Sequence, residues 1–151
     1  MILFSLFLME RIKSIVGQKI VIYNKDNKIL ILKRAMTSNG PWNWDLPGWW
    51  ILLNEDAVSC LEREIVEETW LKNITWILPI HTAAKTFPDG SHSFFVWYVG
   101  MLEDDQNVII SHEHDEYLWI DPKNVDMYKL QEYRAETVRK SMNITPHIPL
   151  K

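Results

Sequence analysis

The sequence is short of several things, and each shortage narrows the field. It has one cysteine, Cys60, so no internal disulfide can form and a reducing cytoplasm is the expected setting. It has no excess of basic residues: 16 Lys and Arg face 20 Asp and Glu, a net charge of −4. That balance argues against a nucleic-acid backbone as the main partner. No apolar run is long enough to span a bilayer. Residues 1–9 (MILFSLFLM) are apolar but lack a basic lead-in and a small-residue cleavage site, so a secretory signal is not expected. They read as an added strand or helical turn, or as a stretch upstream of a functional start at Met9, in preference to a membrane anchor. Glycine is scarce, with 5 residues where average usage of about 7% predicts roughly ten, while tryptophan reaches 8. No internal repeat, linker or low-complexity segment is present. What remains, 151 residues with 47% hydrophobic and 24% charged content, suits one globular domain over 1–151.

Residues 1–16 read as an N-terminal extension. Lys19–Tyr23 and Lys28–Leu32 then read as strands joined by the polar turn at Asn24–Asn27, a hairpin. Lys33 and Arg34 close the second strand, and Ala35–Asn43 is a loop broken by Gly40-Pro41 that is able to touch substrate. Ile74–Phe87 is one long strand interrupted near Pro79, and Pro88–Ser91 is a turn. Ser93–Leu102 is almost continuously apolar, as a strand buried on both faces would be. The acidic stretch Glu103–Asn107 reads as a solvated loop. Tyr117–Ile120 is a further strand, Asp121-Pro122 starts a short helical segment, and Leu130–Met142 is a final amphipathic helix before a tail at 143–151.

Between these lies Trp44–Leu71, which carries the chemistry. From Asp56, which fits an N-cap, Val58, Leu61 and Ile65 recur on one helical stripe that should face a core. Glu64, Glu67 and Glu68 fall within about a third of the helix circumference, read as lying opposite that stripe. Most glutamate-rich helix faces are simply solvated. Here, however, the carboxylates follow a tight loop at Pro47-Gly48 and an arginine, Arg63, that stands eight residues after Glu55. Convergent carboxylates suit a hard divalent cation, which prefers oxygen ligands. Cys60, mid-helix, reads as a buried and inert thiol. The cluster at Ser111–Glu116 lacks the spacing of a zinc site.

Glu55, seven residues, then Arg63-Glu64-Ile65-Val66-Glu67-Glu68-Thr69 resembles the Nudix box, G-x5-E-x7-R-E-U-x-E-E-x-G-U, with Leu71 filling its last aliphatic position. Trp44-Asp45-Leu46-Pro47-Gly48 resembles the W-x-L-P-G segment that precedes it. The resemblance, to the MutT-like Nudix hydrolases, places the box at 48–71. It implies an α/β (α+β) fold, an α/β/α sandwich around a mixed central β-sheet. It implies Glu64, Glu67 and Glu68 as ligands of Mg²⁺ (or Mn²⁺), Glu64 also as a candidate general base, and Arg63 as a group that orients the carboxylates through Glu55. Glu64, Arg63 and Glu67 are thus the candidate catalytic residues, with Glu55 and Gly48 in support. A fourth acidic ligand is expected just before the Tyr117 strand, with Glu116 the first choice and Glu113 the second.

The implied reaction is metal-dependent hydrolysis of a diphosphate linkage in a nucleoside diphosphate joined to another group. Its simplest form cuts a nucleoside triphosphate to the monophosphate and pyrophosphate. The partner is then a small nucleotide, with no stable nucleic-acid partner, no membrane, and room for a homodimer. Markers of ADP-ribose or dinucleoside polyphosphate hydrolases are not found, and no basic surface supports RNA decapping. Phe87, Phe95, Trp97 and Tyr98 are able to stack on a base, although core packing is the simpler reading.

Two positions depart from the pattern, because Trp49 and Trp70 stand where the box has glycine. Position 70 should be a left-handed cap after the helix, where a bulky residue is strained. A UGA codon is read as tryptophan in one variant genetic code and as glycine in another, so Trp49, Trp50, Trp70 and Trp76 are expected to be glycine codons read with the wrong code. If the tryptophans are native, the alternative is a catalytically impaired Nudix-fold module that binds nucleotides without turnover.

Overall fold

The computed structural model describes residues 13–144 apart from 39 and 42; the expectations for residues 1–9, and for most of the extension and the tail, lie outside these. Six strands form one mixed sheet. They are β1 (Ser14–Tyr23), β2 (Ile29–Arg34), β3 (Trp44–Asp45), β4 (Ile74–Thr86), β5 (His92–Leu102) and β6 (His114–Ile120). The order is β3-β2-β1-β5-β4, with β6 pairing along the whole of β2, from Ile29↔Ile120 to Arg34↔His114. β1 and β5 run parallel, in register from Ser14↔His92 to Tyr23↔Met101, while the remaining neighbours are antiparallel. Helix α1 (Ala57–Thr69) follows β3, and a 3-10 turn (Pro122–Met127) and helix α2 (Glu132–Met142) close the chain.

Side chains alternate across a strand, so each central strand serves two cores. Ile20 and Ile22 of β1 join Leu30, Leu32, Leu61, Ile65 and Leu71 under α1. Val21 and Tyr23 join Ile31, Trp97, Val99 and Val138 under α2. This is the α/β/α sandwich that the box implied. β1 and β5 are apolar on both faces because both are covered. Proline in the long fourth strand is tolerated because β4 is at the sheet's edge, and its pairing slips between Thr75 and Leu78 and again between Pro79 and His81.

α1 departs from its expected pattern twice. Leu61 and Ile65 are buried, but Val58 is 43% exposed. Glu68 is not opposite the apolar stripe. At about 100° per residue it stands about 20° from Leu61, and it is 6% exposed. Among the described residues no helix is long and apolar enough to cross a membrane.

Candidate functional site

The site forms where β3 hands the chain to α1. Gly48 sits at φ +109°, and a Cβ there would lie 2.6 Å from the Gln18 carbonyl oxygen, so only glycine lets the turn lie against β1. That turn is pinned by Ile20 N–H donating to Pro47 O at 3.0 Å and Gln18 N–H donating to Trp49 O at 2.9 Å. Asp56 then caps α1, accepting from Val58 N–H and Ser59 N–H.

The structure brings the box residues together around Arg63. Its Nε and Nη2 reach Glu55 at 2.7 and 3.1 Å, a bidentate pair, and its Nη1 reaches Glu64 at 2.6 Å and Glu67 at 3.0 Å. The Arg63 hydrogen bonds hold Glu55 down at about 2. Glu64 is shifted upward, chiefly by burial, and Glu67 is the exposed member of the group. Glu68 points the other way, into the protein, where it accepts from Gly48 N–H at 2.7 Å. Burial pushes its carboxyl up to about 8.

The acidic candidates beyond the helix lie elsewhere. Glu116 is ion-paired with Lys33 at 3.0 Å, and Glu113 is exposed in the turn before β6. The β6 side chain beside Glu68 is His114, with Nε2 3.9 Å from Oε1. Burial takes that imidazole down to about 4, so it is neutral at pH 7 and the contact is not a charge pair. Beneath the turn lies a second group that the sequence did not announce. Asp45 is fully buried and meets Lys19 Nζ at 3.1 Å, Arg34 Nη1 at 3.3 Å and Arg134 Nε at 2.8 Å. Burial opposes its charge, but Lys19 and Arg134 outweigh it and hold the carboxyl below its ordinary value. The W-D-L-P-G segment and the Lys33-Arg34 pair hinted at two members, while Lys19 and Arg134 carried no sequence signal.

Could this set hold a divalent cation? The donors are carboxylate oxygens, which suits a hard ion, and Glu68 is a buried acid whose charged form needs a positive neighbour. The chemistry fits. Among the described residues, no three His, Cys, Asp or Glu side chains already stand as a cage, because Arg63 engages both Glu64 and Glu67. Arg63 engages one oxygen of each, Glu64 Oε1 and Glu67 Oε2, which leaves the other oxygen of each carboxylate for an ion.

Against Arg34 and Arg134, the partners of Asp45, is a cavity of about 460 Å³ that reaches from Trp49 to Phe95 and Tyr133. Of the aromatic residues weighed for stacking, Phe87 and Phe95 line it, whereas Trp97 and Tyr98 are buried in the cores. Cys60 is buried, donates to Trp50 O at 3.3 Å, and is shifted upward by burial, as an inert thiol should be. The backbone at Trp70 is left-handed (φ 60°), and so is that at Trp76 (φ 55°).

Comparison with known proteins agrees with this geometry. The NUDIX domain family matches residues 13–141. An RNA pyrophosphohydrolase of Pelagibacter ubique is 28% identical over 149 residues, covering 84% of this chain and 92% of that protein. The nucleoside triphosphatase NudI of Klebsiella pneumoniae is 28% identical over 118 residues, covering 73% of this chain and 84% of that protein. The crystal structure of the MutT protein of Methanosarcina mazei superposes with a TM-score of 0.68 at 22% identity, over 90% of this chain and 98% of that one.

Proposed function

The chain belongs to the NUDIX domain family and is a Nudix hydrolase, and from that premise we propose that it hydrolyses the diphosphate linkage of a nucleoside triphosphate, releasing the monophosphate and pyrophosphate. The observation that carries this reading is the Arg63 fork, which gathers Glu55, Glu64 and Glu67 on one face while Glu68 is held at the Gly48 turn. Glu64, Glu67 and Glu68 would hold Mg²⁺, or Mn²⁺ in its place. When bound, such an ion neutralises phosphate oxygens and lowers the pKa of water.

The chain's own groups supply the rest. Arg63 keeps Glu64 and Glu67 on one side of the helix and is anchored by Glu55. Glu64, half-buried and shifted upward, is placed to accept a proton from the attacking water. Lys19 adds positive charge behind the turn, where phosphate charge is expected. Incubation with Mg²⁺ and a nucleotide panel should release pyrophosphate. Glu67→Gln and Glu68→Gln should each lower kcat by at least about 100-fold with circular dichroism unchanged; near-normal turnover in both refutes the assignment.

A second reading, a module that binds nucleotides without turnover, is favoured by Trp49, whose ring lies over Lys19 (4.8 Å) and Arg34 (5.2 Å) beside the site. Tight nucleotide binding with no product under any divalent ion would establish it.

A further inference from the structure

Resting on the nucleotide reading above, we propose that the cavity between β5 and α2 is a base pocket that selects guanine over adenine. Its walls are aromatic. Phe95 and Tyr133 lie 6.5 Å apart at 31°, and Trp50 is 5.7 Å from Phe95, so flat apolar surfaces are ready for a stacked ring. Its polar floor is Arg34 and Arg134, with side-chain exposures of 12% and 8%, so Arg134 is more than nine-tenths buried and Arg34 slightly less.

These two guanidinium groups are not used up by their carboxylate. One Asp45 oxygen takes Lys19 and Arg34, and the other takes Arg134 and Leu46 N–H. Three cations thus share one buried acid, and positive charge stays in excess even with Glu68 ionised. Among the described residues, neither Arg34 Nε nor Arg134 Nε has a hydrogen-bond partner, the 2.8 Å approach of Arg134 Nε to Asp45 being an ion pair without hydrogen-bond alignment. Arginine can only donate. A base edge that meets it must offer acceptors, and guanine offers O6 and N7 side by side, a bidentate match. Adenine presents its N6 donor at the same place, where it faces only other donors. Asn43, also at the cavity, carries an amide oxygen able to accept from the guanine N1–H and N2–H₂ edge, while that of Gln131 accepts from the Tyr133 hydroxyl. Trp49 links the two regions, since it follows Gly48 and lines the cavity.

The test is calorimetric titration of the full chain in EDTA with GMP, AMP, guanosine, adenosine and inorganic phosphate. GMP is expected to bind about tenfold or more tighter than AMP, with guanosine retaining the preference over adenosine. Arg134→Lys keeps a charge against Asp45 but loses the fork, and should bring the GMP to AMP ratio near one. Equal affinities for GMP and AMP in the wild-type chain overturn the proposal whether or not the variant folds. So does displacement of GMP by phosphate but not by guanosine, which would mark a plain anion site. Guanine selectivity in a chain that turns over no nucleotide with Mg²⁺ defeats the hydrolase reading and leaves the pocket. Turnover with equal kcat/KM for GTP and ATP defeats the pocket and leaves the hydrolase.

The backbone carries a second inference independently. Among the described residues, the non-glycine positions with positive φ are Asn27, Asn54, Asn73, Trp70 and Trp76. Asparagine visits this region readily, whereas a bulky residue there is strained. Trp70 and Trp76 are 60% and 40% exposed, so little burial compensates. We infer that positions 70 and 76 are glycine in the source organism, encoded by UGA; Trp49 and Trp50 have no left-handed backbone and stand outside this inference. UGA at both codons supports it and UGG at either overturns it. The Trp70→Gly/Trp76→Gly variant should melt several degrees higher, and an equal or lower midpoint overturns the strain argument.

Discussion

Asp45 has no solvent contact and three cationic neighbours, so it binds the end of β3 to β1, β2 and α2 at one point. Asp45→Asn would leave those cations uncompensated, and should cost about 3–5 kcal/mol in chemical denaturation. Glu55 behaves differently. Arg63 lowers it to about 2 from an ordinary 4.5, so its contribution to stability is complete above pH 4.5 and is lost as pH falls through 2. Carboxyl NMR of Arg63→Met should show Glu55 returning towards 4.5; an unmoved titration would mean that Arg63 is not the cause. The Arg63–Glu55 pair was legible because motif spacing encodes it. Arg134 and His114 were not, since each reaches the site only through packing that joins distant segments. Glu68 was counted with Glu64 and Glu67 on the face opposite the apolar stripe, but its place on the helix was misjudged, because a carboxylate was assumed to avoid the side of Leu61.

At the level of elements, α1 owes its place to a cap and a short apolar stripe. Asp56→Ala removes the side-chain acceptor for Val58 and Ser59 N–H and should cost about 1 kcal/mol. Leu61→Ala, in the core beneath the helix, should cost about 2–5 kcal/mol. Both can be measured by urea unfolding, and a larger effect from the cap than from the core would contradict this account of the helix. The stripe was readable from period, but it was over-read by one residue. Val58 lies in the first turn, where α1 has not yet closed on the sheet. β4 was equally legible as one interrupted strand, and its two slips of register span Trp76-Ile77 and Ile80. Pattern alone does not give such slips, since the first turns on the left-handed backbone of a single residue, Trp76.

For the molecule as a whole, a bound divalent ion should act as a ligand of the native state. Mg²⁺ at about 100 times its Kd would add about 2.7 kcal/mol. Calorimetric scans should show the midpoint rising with Mg²⁺ in the wild-type chain and staying fixed in Glu68→Gln. The layered architecture was foreseeable from the box, but the pairing of β1 with β5 was not. Parallel neighbours 78 residues apart leave no turn between them for a reader to find. That same pairing governs how the chain comes into being. On the ribosome, the β1–β2 hairpin emerges early and must wait, with one side of β1 unmatched, until residue 102 has been made. Assembly is therefore late and slow, milliseconds or longer, as expected when distant segments must meet first. During that wait the nascent chain exposes an apolar strand edge, so chaperone capture should centre on β1.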